Sequence, residues 1–228
     1  YHTPPVHLRA SAYLAAFLAL ACNSGERPEA GRSAPLTGPW LVKLDLGGAS
    51  LPFQFDLQQG VGGEYSMHLH NGDESITVDD LEIRNDTLIA RMPLYDSEFI
   101  GTLTNNSRIE GNWHNYLKGR DYRIPFVAEH GKAPRFPHAV APTIDISGQW
   151  EVHFQPKDAD PYPAIGMFTQ HPSGRTTCTF ITETGDYRYL DGVVSGDSLY
   201  LSCFDGSHAF LFRAHVDEAG LHGEFRSG

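Results

Sequence analysis

The chain has 228 residues, 40% of them hydrophobic and 11% aromatic, which is ample for folded domains with substantial cores. Its formal net charge is −11, from 17 basic and 28 acidic residues, so a phosphate backbone would be repelled. Because no basic run is interleaved with aromatics, the sequence argues against nucleic-acid binding.

In chain order, the first predicted element is a secretory signal. Arg9 precedes an apolar run from Ala10 to Ala21, and Cys22 follows. That run is too short to span a bilayer, which needs about 20 residues, and it fits the apolar region of a signal peptide. Ala19-Leu20-Ala21-Cys22 resembles the lipobox of bacterial lipoproteins, although leucine is preferred where Ala19 stands. Residues 1–22 are therefore read as a signal peptide with Cys22 as the lipidation site; an ordinary signal with an incidental cysteine is the alternative. Residues 23–37 are polar and rich in Pro, Gly and Ser, the composition of a disordered tether. The expected location is the bacterial cell envelope, with a lipid anchor to the membrane.

From Gly38 onward the pattern has period two. LVKLDL, PFQFDLQ, EYSMHLH, SITVDDLEI, TLIARMPL and FIGTLT alternate apolar and polar residues, and turn signals such as Asn71-Gly72 and Asn85-Asp86 separate them. Such runs predict an all-β antiparallel protein. The pattern also repeats. Trp40 returns as Trp150, NDTLIA at 85–90 as GDSLYL at 196–201, Phe99 as Phe210, and IEGNW at 109–113 as LHGEF at 221–225. The offsets stay between 110 and 112 residues (40 to 150, 113 to 225). The predicted architecture is two tandem antiparallel lipocalin-like barrels of about eight short strands each, a number that closes a filled barrel. The first covers residues 38–131, a Pro-rich linker covers 132–146, and the second covers 147–228. After Trp113 the first copy has one more strand, DYRIPFVAE; after Phe225 the second has three residues, so its closing strand is expected to be missing. A barrel left open would expose a strand edge, and the expectation is that the sequence is truncated here.

GxW, PYPAIGMF, TETGDYRYLDG, SGDSLYLSCFDGSHAFLF and the final LHGEF together resemble the N-terminal β region of bacterial envelope lipoproteins of the TlpA-like thioredoxin family. The resemblance covers residues 38–228. It implies a thioredoxin-fold domain further along the parent chain, performing thiol-disulfide or peroxide reduction. These residues contain no Cys-x-x-Cys, so no redox residue is carried over, and the region itself is expected to be a non-catalytic spacer, docking or substrate-presenting module without a cofactor.

Several residues invite a different chemistry. Gly196-Asp197-Ser198-Leu199 spells the nucleophile block of GDSL-type hydrolases, and Asp205 and His208 add a D-x-x-H. Those enzymes are α/β with the Asp/His pair far downstream, whereas here the motifs lie on consecutive β runs, and the repeat places Asn85-Asp86-Thr87-Leu88 at the same turn. A catalytic triad is defined by geometry rather than spelling, so no catalytic residue is assigned. His68 and His70 share a strand face at a spacing that can hold a metal, but no third ligand is near in sequence, and a solvated face is the competing reading. Cys178 and Cys203 fall on the third and fifth runs of the second copy. In a meander these are about 9–10 Å apart, beyond the reach of a disulfide, so two buried thiols are expected. Tyr187 and Tyr189, read as sharing a face, are the candidate ligand or docking residues, against ordinary strand packing. A self-contained small-ligand-binding barrel remains the alternative function.

Overall fold

The computed structural model describes residues 34–137 and 140–228. The expected signal peptide, Cys22 and residues 23–33 of the tether lie outside the described residues, as do His138 and Ala139. Regular structure among the described residues is β-strand apart from one 3-10 turn at Tyr116–Lys118.

The strands form two up-and-down antiparallel sheets. The first contains β1 (Gly38–Asp45), β2 (Ser50–Gln59), β3 (Tyr65–Asn71), β4 (Glu74–Val78), β5 (Leu81–Arg84), β6 (Thr87–Arg91), β7 (Ser97–Asn105), β8 (Arg108–Asn115) and β9 (Arg123–His130). Their order is β4-β3-β2-β1-β9-β8-β7-β6-β5, a nearly closed nine-stranded barrel. The second contains β10 (Gly148–Phe154), β11 (Tyr162–Gln170), β12 (Arg175–Thr182), β13 (Gly185–Ser195), β14 (Ser198–Phe204), β15 (Ala209–Asp217) and β16 (Gly220–Ser227), paired in sequence order as a half-barrel.

The two sheets repeat one plan with two differences. Glu74–Val78 and Leu81–Arg84 correspond to the single strand Gly185–Ser195 at an offset of 111 residues (74 to 185, 84 to 195). The first copy places Asp79-Asp80 where the second has Leu190-Asp191. Two adjacent exposed aspartates suit a break in a strand, whereas Leu190 is fully buried and lets β13 run through. The first sheet is thus split at β4/β5, while the second is continuous there. The other difference is the closing strand. Arg123–His130 pairs with both β1 and β8 and buries Ile124, Phe126 and Ala128. Residues 147–228 hold no counterpart, so β10 and β16 each have one neighbour among the described strands.

Local chemistry is shared at equivalent places. Trp40 Nε1 donates to the Leu36 carbonyl and Trp150 Nε1 to the Ile146 carbonyl, both at 2.9 Å, because a packed indole still needs an acceptor for its N–H. The first of these bonds, with Leu36 N–H donating to the Asn106 carbonyl at 2.8 Å, fixes Leu36 onto the barrel. The region expected to be a loose tether through residue 37 is therefore ordered at its end. Asn85 and Asp86 have φ of 49° and 62°, both positive as a type I′ hairpin requires. Gly196 takes φ 62° at the equivalent turn, so NDTL and GDSL are turn sequences in both copies.

The second sheet presses its β13–β15 region against the first barrel. Phe204, Ala209, Leu211 and Val193 belong to the first barrel's core, while Phe210, Phe212, Leu201 and Cys203 from the same strands belong to the second. These strands are covered on both faces. Phe204, fully buried, lies 4.5 Å ring to ring from Phe53, 5.1 Å from Trp113 and 5.2 Å from Phe99. Burying a side chain of that size contributes about 2–3 kcal/mol.

Candidate functional site

Two places concentrate unusual features: the seam between the sheets and the open side of the second.

The seam holds most of the buried polar side chains. The Asn71 amide clamps the Phe204 backbone, donating to its carbonyl at 2.8 Å and accepting its N–H at 3.3 Å. Asn115 Nδ2 donates to the Ser207 carbonyl at 2.9 Å, Ser97 Oγ to the Gly206 carbonyl and Ser202 Oγ to the Pro52 carbonyl. Asp205, whose side chain is fully buried, accepts from the Ser207 and His208 backbone N–H groups at 2.9 and 2.7 Å. Its other oxygen meets Arg188 Nε at 3.2 Å and His208 Nδ1 at 3.0 Å. Arg188 continues across the seam to Glu74 at 2.6 Å and the Tyr95 hydroxyl at 3.3 Å. Burial raises the Asp205 pKa, but the hydrogen bonds from His208 and Ser207 outweigh it and hold the carboxyl below its ordinary value.

This network decides the hydrolase reading. Ser198 and Asp205 stand at opposite ends of the β14 region, about 20 Å apart at strand rise. Ser198 Oγ donates to Asp197 at 3.1 Å, and its cross-strand partner is His215 rather than His208. Asp205 holds His208, the loop backbone and Arg188, the residue that crosses to the first sheet, and neither Asp205 nor His208 serves Ser198.

The metal candidates are likewise engaged in the sheet. His68 Nδ1 is 3.1 Å from the Thr77 hydroxyl and His70 Nε2 is 2.9 Å from Asp56 Oδ2. Among the described residues no group of three or more His, Cys, Asp or Glu is arranged to hold a metal ion.

Cys178 on β12 and Cys203 on β14 are free and buried, with β13 between them. Burial pushes both thiols well above their ordinary pKa, which disfavours the nucleophilic thiolate.

The expected shared face of Tyr187 and Tyr189 is not found. Cys178 pairs with Leu190 but Phe180 pairs with Tyr187, so β13 carries one extra residue there, a bulge that shifts the alternation. Tyr187 packs into the core and its hydroxyl meets that of Tyr162 at 2.5 Å; Tyr189 is 55% exposed. They form no common surface.

A ligand inside the first barrel has little room. Val42, Phe53, Phe55, Met67, Phe99 and Phe126 leave a cavity of about 20 Å³, against the several hundred cubic ångströms of an ordinary ligand pocket.

The second sheet is different on its open side. Trp150, Val152 and Phe154 of β10, with Leu221 and Phe225 of β16, are only partly buried. Their first-copy equivalents Trp40, Val42, Leu44, Ile109 and Trp113 are at most 2% exposed. Phe154 and Phe225 approach to 5.8 Å ring to ring, so the two edges face each other through side chains. Cross-strand partners Ile165 and Ile181, with Met167, add exposed apolar surface on the outer face beside β10.

Sequence reasoning missed Phe204 and the charged seam. The signal was present in LSCF and AFLF, where apolar or small residues run without alternation and burial is continuous; such a run marks a strand covered on both faces. The chain matches no protein-family model and no curated protein.

Proposed function

We propose that residues 34–228 form a non-catalytic accessory region of a cell-envelope lipoprotein, serving as spacer and docking module ahead of a thioredoxin-fold domain in the same parent chain. The parent's activity would be thiol-disulfide or peroxide reduction, as the TlpA-like resemblance implies, and the anchor would be a lipid on Cys22.

One observation carries the docking part of the reading: the half-buried inner faces of β10 and β16 stand where the first copy inserts β9. An extended segment with apolar residues at alternate positions would satisfy both edges and cover Trp150 and Phe225, the strand-addition mode of recognition. Supporting it, the Asp205 and His208 side chains that suggested chemistry are occupied with each other and with Arg188, which crosses to the first sheet, and the two thiols are buried. A small ligand carried within a barrel, the rival reading, draws no support from the filled first barrel.

The parent chain is tested by reading the coding sequence beyond codon 228. A continuing frame that encodes a Cys-x-x-Cys domain is expected, and a different downstream domain overturns the redox assignment. The anchor is tested by labelling with a palmitate analogue: Cys22→Ala should abolish incorporation, and a labelled variant would refute lipidation at that residue.

A further inference from the structure

Arg135 comes from the Pro-rich stretch between the copies, yet only 7% of it is exposed. Through Nη1 its guanidinium donates to the Ser202 carbonyl at 3.1 Å and the Ser202 hydroxyl at 3.2 Å, and through Nη2 to the His70 carbonyl. All three acceptors are neutral. Among the described residues the buried Nε–H has no hydrogen-bond partner, and Asp191 acts on the guanidinium by charge without a hydrogen bond. A desolvated cation with neutral acceptors and one idle donor is an unbalanced arrangement, since buried charges are ordinarily paired.

Arg135 also lines a cavity of about 210 Å³ at the seam. Arg175 brings a second guanidinium to it, Gln54 an amide, and Phe136 and Val193 an apolar wall. Asp191, on the same wall, accepts from Arg175 Nε at 3.4 Å. Among the described lining residues, two guanidinium groups against one carboxylate give the cavity one net positive charge, on a chain whose net charge is −11. The volume is several times that of one water and below that of a drug-sized pocket.

We propose that this cavity binds a small organic anion, its oxyanion head between Arg135 and Arg175 and its short apolar body against Phe136 and Val193. A guanidinium is suited to such a head because its N–H groups match two oxygens at once. Arg135 already ties His70 of β3 to Ser202 of β14, so an anion held there bridges the two copies and stabilises the assembled state by mass action. The site is independent of the open edge of the second sheet.

The test is a titration of the purified chain with benzoate, and separately with inorganic phosphate, at constant ionic strength. It follows the Arg135 Nε–H in a proton–nitrogen spectrum of the guanidinium groups, with melting temperature as a second readout. Benzoate should move that signal saturably, with half-saturation at about 1 mM or below, and raise the melting temperature. Arg175 is about half exposed, so Arg175→Gln should fold and weaken benzoate about tenfold or more. A shift that never saturates, an equal shift with chloride, or an unchanged affinity in Arg175→Gln would overturn the proposal. Saturable binding of phosphate without benzoate would overturn the apolar half of it.

Discussion

Phe204, on the second sheet, packs edge to face against Trp113 of the first, with ring centroids 5.1 Å apart and both side chains fully buried. An aromatic from one copy thus completes the core of the other. Truncating a buried phenylalanine costs about 3–5 kcal/mol, and here the loss falls on the junction. Phe204→Ala should lower global stability by about 4 kcal/mol and uncouple the sheets. Native-state hydrogen exchange measures this: amides of β2 and β12 should share one opening free energy in the parent protein and separate in the variant. Equal opening energies in both would show that Phe204 does not couple the copies.

Asp205 gives the seam a pH dependence. Its folded pKa is depressed below the unfolded value of about 3.9, so its contribution is present above that value and is lost as pH falls through the folded pKa. Asp205→Asn, which leaves Arg188 without its buried carboxylate, should cost about 3 kcal/mol near neutrality. Below about pH 4 the variant should lose stability with pH less steeply than the parent. Urea melts across that range provide the check, and parallel curves would contradict the assignment.

The thiols give a redox test of the topology. With β13 between their strands, Cys178 and Cys203 should resist alkylation in the folded chain and react together once it is denatured. Mass spectrometry after oxidation in the folded state should find no link between them. A Cys178–Cys203 disulfide formed without denaturation would mean that the strands pair in another order.

Much of this structure could be read from the residues. Period two placed the strands, the Trp40/Trp150 register placed the copies, and Asn85-Asp86 and Gly196-Asp197 marked equivalent turns. Features set by one extra residue or by distant contact were harder to see. The bulge that separates Tyr187 from Tyr189 has no local signature, because alternation continues on either side of it. Asp79-Asp80 lies inside SITVDDLEI, which reads as one alternating run, and the break between β4 and β5 emerges only from comparison with Leu190 in the copy that does not break. Arg135 and Phe136 looked like linker since Pro134 and Pro137 flank them; their burial depends on a cavity that forms only when the two copies meet.

The open edge of the second sheet is the centre of the functional reading, and hydrogen exchange tests it most directly. The probe is a synthetic peptide with the sequence of Arg123–His130, the strand that closes the first copy. With the peptide present, the edge amides of β10 and β16 should gain protection together, while β1 and β8 stay unchanged. A peptide with aspartate in place of Phe126 should give none of this protection, because an unpaired carboxylate would enter an apolar interior. If neither edge gains protection, or if the aspartate peptide protects equally, the second sheet is no strand acceptor and the docking assignment fails.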